Sequence, residues 1–207
     1  MRVVVNAAMT ADGKIALRGG NPLSISDEAD LKRVHAMRAQ SDAIVVGIGT
    51  VLADNPSLLS KTTGAKQPTR VILDSKCQTP PNARVLDGAT RTLIVCAKGN
   101  ARRMSNAETI EAGETRVDLR LALRELAARG IQTVMVEGGA TVIGSFLRAG
   151  LVDDLYTYIA PMVVGGGAPS LVEGPGATDP THVLKLKLAE TSNVGGGVLL
   201  HYVATKK

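Results

Sequence analysis

The chain has 207 residues, enough to bury a full core, yet no apolar run reaches the roughly 20 residues that a bilayer-spanning helix needs. Its net charge of +5 is scattered rather than clustered, and Phe, Tyr and Trp make up only 2% of it, too few for a base-stacking platform, so nucleic-acid binding is not expected. Cys77 and Cys96 lie far apart without a C-x-x-C spacing, which argues against a structural metal or a disulfide framework. Met1-Arg2 leads straight into Val3-Val4-Val5, so the expectation is a cytoplasmic, metal-free protein with no leader peptide and one domain over residues 1–207.

Arg2 to Met9 reads as a buried, valine-rich strand. Asn6 lies within it, and a polar amide there is either satisfied by backbone or turned toward a ligand. Thr10-Ala11-Asp12-Gly13-Lys14 follows, with Asp-Gly marking a turn. After the loop Gly19-Gly20-Asn21-Pro22, Ser26 has the chemistry of a helix N-cap. Asp27, Glu28 and Asp30 then fill the first turn, and Lys32, Arg33, His35 and Arg38 the later ones, an order the helix dipole favours. Leu31, Val34 and Met37 mark the expected inner side. Arg38, in the last turn, is either solvated or reaches into a site.

Ala43 to Val46 is the next expected strand, followed by Gly47-Ile48-Gly49-Thr50. Val51 to Pro56 reads as a short helical turn on which Thr50 and Asp54, four apart, face one way. Strands are expected over Arg70 to Leu73, ending in Asp74-Ser75-Lys76, over Thr92 to Cys96, and briefly near Thr109. Asp118 can cap a helix bearing Leu119, Ala122, Leu123, Leu126 and Ala127 at helical spacing, which Gly130 ends.

Val134-Met135-Val136-Glu137-Gly138-Gly139 then runs a strand into a glycine pair, and Ile143, Phe146 and Leu147 give the spacing of a helix that Gly150 closes. A strand that ends in glycines and opens a helix brings backbone N–H groups and a helix N-terminus against an anion; a tight turn without a ligand is the other reading. Glu137, at the strand end, is placed to hydrogen-bond a polar substrate. Leu155 to Ala160 is a strand stopped by Pro161, and Gly165-Gly166-Gly167 is a loop. Val183 to Leu188 alternates as a half-exposed strand does, and Gly195-Gly196-Gly197 turns into a last strand, Val198 to Val203. The fold class is α/β: a mixed, mostly parallel sheet flanked by helices and finished by an antiparallel hairpin. His35, His182 and His201 are expected on the surface or on strands.

Asn6…Asp12-Gly13-Lys14-Ile15, Arg38-Ala39-Gln40-Ser41-Asp42-Ala43-Ile44, Gly47-Ile48-Gly49-Thr50-Val51-Leu52-Ala53-Asp54-Asn55-Pro56, Arg70-Val71-Ile72-Leu73-Asp74-Ser75, Val136-Glu137-Gly138-Gly139 and Leu151-Val152-Asp153-Asp154…Ile159-Ala160-Pro161 form an ordered set. Together they resemble the reductase domain of riboflavin biosynthesis over nearly the whole chain. The resemblance implies a dihydrofolate-reductase-like fold, a homodimer and an NADPH-dependent reduction, with NADH as the other possible cofactor. In that reaction the ribose of a ribosylaminopyrimidine phosphate is opened and reduced to a ribitylamino chain. It implies cofactor contacts at Thr10, Thr50, Asp54, Ser75, Gly138, Gly139, Ala140 and Thr141, and substrate contacts at Arg38, Leu58, Lys61 and Glu137.

The bacterial members of that family carry lysine at the position of Asn6 and arginine at that of Lys61, so Asn6 stands at the substrate and catalytic position without a charge. Asp54 is the acid expected near the reacting end; closing a helical turn is its other reading. Ser75-Lys76 offers a hydroxyl and an ammonium for an adenosine 2′-phosphate, or is a surface turn. The sequence contains no H-x-E…P-C-x-x-C deaminase signature. The resemblance is therefore to the stand-alone archaeal and fungal-type reductases, and it implies the 2,5-diamino-6-ribosylamino-4(3H)-pyrimidinone 5′-phosphate as substrate. Two alternatives stay open: a reductase of the same fold acting on the deaminated pyrimidine or a pterin-like compound, and a non-catalytic nucleotide-binding regulator.

Overall fold

The computed structural model describes residues 1–204. In chain order its elements are β1 (Arg2–Thr10), α1 (Glu28–Gln40), β2 (Ala43–Gly47), α2 (Ile48–Asp54), β3 (Thr69–Leu73), β4 (Thr92–Cys96), β5 (Glu108–Glu111), α3 (Leu119–Ala128), β6 (Thr133–Gly138), α4 (Ala140–Arg148), β7 (Asp154–Ala160), β8 (Leu186–Val194) and β9 (Gly197–Ala204). The strands hydrogen-bond in the order β5-β4-β3-β2-β6-β1-β7-β9-β8. β2, β3, β4 and β5 pair in parallel, as do β1 and β7, while β7–β9 and β8–β9 are antiparallel. This is the mixed, mostly parallel sheet with a terminal hairpin that the alternation of elements predicts. Two compact units make up the chain: Met1–Arg2 with His35–Met135, and Val3–Val34 with Val136–Lys207.

In the first unit, every residue of β2 and of β4 is buried. Strands covered on both faces read as continuous β-branched runs, and that is why Thr92 to Cys96 is legible to the residue. Asp118 caps α3 by accepting from the N–H groups of Arg120 (2.8 Å) and Leu121 (3.0 Å), and Ala122 and Leu126 turn inward. Two charged residues among those described, Arg70 and Asp74, are wholly buried in this unit. Arg70 on β3 is wholly buried, and its Nη1 donates to Val85 O (2.7 Å) and to Asp87 Oδ1 (2.8 Å). Its Nε and Nη2 have no partner among the described residues.

The second unit corrects three expectations. The N-terminal cap of α1 comes from Asp27, whose Oδ1 accepts from Asp30 N at 2.9 Å, and not from Ser26, whose hydroxyl donates to the Asp30 carboxylate. Leu31 is 46% exposed, whereas Asp30 is wholly buried, because Ser26 and Arg33 satisfy its carboxylate (Arg33 Nε at 2.8 Å). Third, the strand expected over Val183 to Leu188 begins only at Leu186 and runs on to Val194, with a bulge between Leu188 and Glu190. Val183 instead closes a short 3-10 turn over Pro180–His182.

Asp27 has a second task. Its Oδ2 accepts from Tyr158 Oη (3.0 Å) and from Gly196 N (2.8 Å), which fastens the β8–β9 turn to the start of α1. A Cβ on Gly195 would lie 2.1 Å from that same oxygen, so only glycine fits there.

Candidate functional site

In the second unit, β6 ends at Gly138 and Gly139 caps α4, with a cis peptide between them. Gly138 has φ +130°, a conformation closed to ordinary side chains, although a Cβ would meet nothing nearer than Ile143 Cδ1 at 3.9 Å. The restriction is in the backbone and not in the space around it. Gly139 O accepts from Val142 N (2.9 Å) and Ile143 N (3.0 Å), so the helix starts there. The first N–H groups of such a helix have no partner within it, and with the helix dipole they favour an anion. Ala140 is buried, Thr141 is exposed, and Glu137, the last side chain before the glycines, is half-buried.

Asn6 is 5% exposed on β1, and its Oδ1 has no hydrogen-bond partner among the described residues. The backbone-satisfied alternative for that oxygen therefore fails. Thr10, at the end of β1, is wholly buried. Its hydroxyl donates to Asp12 and accepts from Lys14 N (2.9 Å), so it already has its own partners within the turn.

Asp12 does more than mark that turn. Besides Thr10, its carboxylate accepts from Gly165 N (2.7 Å) and Val164 N (3.2 Å), tying the Gly-rich loop after β7 to the end of β1. The Thr10 hydroxyl foremost, and then the Gly165 N–H, hold its carboxyl down at about 2. The stitching continues through Ala11 N to Met162 O (2.8 Å), Ile15 N to Pro169 O (3.0 Å) and Leu171 N to Gly13 O (3.2 Å). Asp-Gly signals a turn in the sequence, but nothing local in it points to a partner at residue 165.

The first unit holds the other candidates. Thr50 and Asp54 both lie on α2, four residues apart, so they share a side of the helix as expected. The helix starts earlier than the sequence suggests, at Ile48, and closes at Asn55, whose N–H bonds to Val51 O and whose Oδ1 accepts from Arg84 N at 2.8 Å. Asp54 is open to solvent on one side, and desolvation on the other pushes its carboxyl above the usual carboxylate range.

Arg38, Leu58 and Lys61 are brought together within this unit. Arg38 Nη1 donates to Leu59 O (3.0 Å), Ser60 Oγ donates to His35 O (2.8 Å), and Lys61 N donates to His35 Nδ1 (3.3 Å). Leu58 is buried at φ +55°, and Lys61 is exposed. Elsewhere in the unit, Ser75 Oγ accepts from Val117 N (3.0 Å), while Lys76 next to it is exposed.

Burial raises both thiols, that of Cys96 to about 11, so neither cysteine offers a thiolate near neutrality. Among the described residues no group of three or more His, Cys, Asp or Glu could hold a metal ion. No helix there is long and apolar enough to cross a membrane. Of the histidines, His201 on β9 departs most from a plain strand residue. Its ring stacks on Tyr156, and its Nε2 lies 2.8 Å from Asp154 Oδ1.

Comparison with known proteins agrees with this architecture. The family model described as RibD C-terminal domain matches residues 1–200. The 2,5-diamino-6-ribosylamino-4(3H)-pyrimidinone 5′-phosphate reductase of Methanothermobacter thermautotrophicus is 43% identical over 209 residues, covering 97% of this chain and 96% of the relative. The riboflavin biosynthesis protein RibD of Bacillus amyloliquefaciens is 41% identical over 96% of this chain and 56% of its own length.

Among solved structures, a deaminase/reductase of Thermotoga maritima superposes with a TM-score of 0.85 at 28% identity, over 99% of this chain and 56% of that one. Acinetobacter baumannii RibD gives a TM-score of 0.87 at 27% identity, over 99% and 58%. The chain thus spans little more than half of these two solved proteins. With matched residues running from 1 to 200 and a relative at 43% identity along almost its full length, the chain belongs to the RibD C-terminal domain family.

Proposed function

We propose that this protein reduces the ribose of 2,5-diamino-6-ribosylamino-4(3H)-pyrimidinone 5′-phosphate to the ribitylamino product, as a single reductase domain over residues 1–207. The observation that carries this reading is the end-to-end correspondence with a reductase named for that substrate. The geometry supports it. The Gly138-Gly139 turn opens α4 with backbone N–H groups that suit a pyrophosphate, and Thr141 is exposed beside them. NADPH is the proposed cofactor, and when bound it supplies the hydride.

The chain's own part is to bind, orient and exclude water. Glu137 and Asn6 offer polar groups to the sugar. Arg38 and Lys61, joined through the Leu58–Lys61 segment, offer two cations to the 5′-phosphate. Asp54, with its raised carboxyl, can stay protonated to higher pH than an ordinary aspartate and can hold a proton near the reacting end. Lys76, exposed beside Ser75, is the proposed partner of the adenosine 2′-phosphate. The protein is proposed to act in the cytoplasm as a homodimer.

A second reading has an observation of its own. The Thermotoga maritima protein is named as a 5-amino-6-(5-phosphoribosylamino)uracil reductase, which takes the deaminated pyrimidine. One experiment separates the two. The purified protein is incubated with NADPH or NADH and with each pyrimidine phosphate, and the products are identified by mass. Conversion of the diamino compound at the higher kcat/KM is expected. Preference for the deaminated compound selects the second reading, and turnover of neither, with NADPH still bound, leaves a non-catalytic binder.

A further inference from the structure

Asn6 presents an unmet hydrogen bond: its side chain is buried and Oδ1 has no partner among the described residues. Leaving a buried acceptor without a donor is destabilising, so a donor from outside the chain is its natural complement. The sheet register says what stands beside it. Asn6 is the Cα partner of Tyr156 on parallel β7, and Tyr156 is that of His201 on antiparallel β9. Cross-strand partners project from the same face, and adjacent strands lie about 4.8 Å apart, so the three side chains form one row.

The far end of this row is held firmly. The rings of Tyr156 and His201 stack with centroids 4.2 Å apart and planes 7° from parallel. Asp154 is two residues before Tyr156 and so on the same face, and its Oδ1 lies 2.8 Å from His201 Nε2. The side chains of His201 and Asp154 are only 17% and 11% exposed. Toward the other end of β7 and β9 the core is apolar, built from Ile25, Tyr158, Ala160 and Leu199. Burying a carboxylate and an imidazole costs more than continuing with leucine or valine, so packing alone does not account for them.

We propose that Asn6 and Tyr156 form a recognition pair for an amino or hydroxyl donor of the substrate. In this pair His201, anchored by Asp154, is the positioning residue that holds the Tyr156 ring beside Asn6. The assignment rests on the pyrimidine-phosphate reading above. It also gives Asn6 a role that needs no charge: its amide oxygen accepts, and its geometry is set from two strands away.

Steady-state kinetics on two substitutions test this. His201→Phe keeps a ring on Tyr156 and loses the bond to Asp154, while His201→Gln keeps a donor for Asp154 and loses the ring. Each is expected to raise KM for the pyrimidine phosphate about tenfold, equivalent to ~1.4 kcal/mol, with NADPH Kd and kcat changed by less than about threefold. Tyr156→Phe removes only a hydroxyl, should fold in any case, and carries the same expectation for KM. If wild type turns over its substrate and all three variants keep its KM, the assignment is wrong and the proposed function stands. It is equally wrong if KM, NADPH Kd and Tm deteriorate together, since that pattern reports a general loss of structure. A wild type that turns over neither pyrimidine removes the proposed function and this assignment with it.

Discussion

Arg70 tests whether a buried cation stabilises the first unit. Replacing it with methionine removes the bond to Asp87, whose side chain is 43% exposed and can turn to water. Discounted for that exposure, the loss is about 0.5–1 kcal/mol. The bond to Val85 O adds about 1 kcal/mol, but Val85 O keeps the Thr92 hydroxyl at 2.6 Å and is not stranded. On the other side, Arg70 buries two N–H-bearing nitrogens without partners, at roughly 1–3 kcal/mol each, besides the cost of desolvating the ion itself. The favourable terms of the substitution equal or exceed the losses. Arg70→Met should therefore range from neutral to about 2 kcal/mol more stable, read as a higher urea midpoint at unchanged m-value. Arg70→Ala, which leaves a cavity where methionine would fill it, should be roughly 2–4 kcal/mol less stable than the methionine variant. A loss above about 2 kcal/mol for the methionine variant would refute the reasoning, because it would mean that Nε and Nη2 are bonded after all.

Four other outcomes are expected. Gly139→Val should abolish NADPH binding by calorimetry while the far-UV spectrum stays native; unchanged affinity in a folded variant would remove the pyrophosphate assignment. Lys76→Ala should narrow the NADPH/NADH preference measured as a ratio of kcat/KM, and an unaltered ratio means that no 2′-phosphate contact exists there. Lys61→Met and Arg38→Met should each raise substrate KM by about tenfold or more and reduce discrimination against the dephosphorylated substrate, since a hydrogen bond to a charged group contributes roughly 1.5–3 kcal/mol. Lys61 gives the cleaner result, because Arg38 also holds Leu59 O. The Asp12 tie should fail in acid. Its carboxyl titrates at 3.8 when unperturbed and about 2 in the fold, so the stabilisation is complete above the first value and disappears as pH falls through the second. Hydrogen exchange at Val164 and Gly165 should rise over that window, whereas Asp12→Asn should show partial release already at neutral pH.

What the sequence reveals follows from how local each cause is. β4 is legible because burial on both faces is written into its own residues, and the α3 cap because Asp118 and its acceptor geometry lie within four residues. The choice between Ser26 and Asp27 as the cap of α1 is not local. Both can cap, and Asp27 is also required by Tyr158 and Gly196, far along the chain. Leu31 and Asp30 exchange their expected places because Ser26 and Arg33 make burial of an aspartate tolerable. Alternation over Val183 to Leu188 is genuine, but pairing with β9 decides where the strand begins. The same holds for the candidate site. The glycine pair and the Thr50/Asp54 spacing are local patterns, whereas the Asp12 tie and the Tyr156–His201 stack exist only once the strands are in register.

The segmentation of the two units has a consequence for how the protein is made. Apart from Met1–Arg2, the first unit is one continuous stretch, His35–Met135, so its partners have all left the ribosome while the remainder is still being translated. The second unit is divided: Val3–Val34 emerges first and must wait for Val136 onward, since β1 pairs with β7 and Asp27 with the turn before β9. Contacts of such sequence separation close slowly, and here they cannot begin until late in synthesis. The nascent chain thus carries an apolar, valine-rich leading strand that has no β7 partner for more than half of its elongation. Chains stalled near residue 175, in which Met135 has emerged and β7 has not, should show His35–Met135 protected from protease and Val3–Val34 open, the segment a chaperone would be expected to hold.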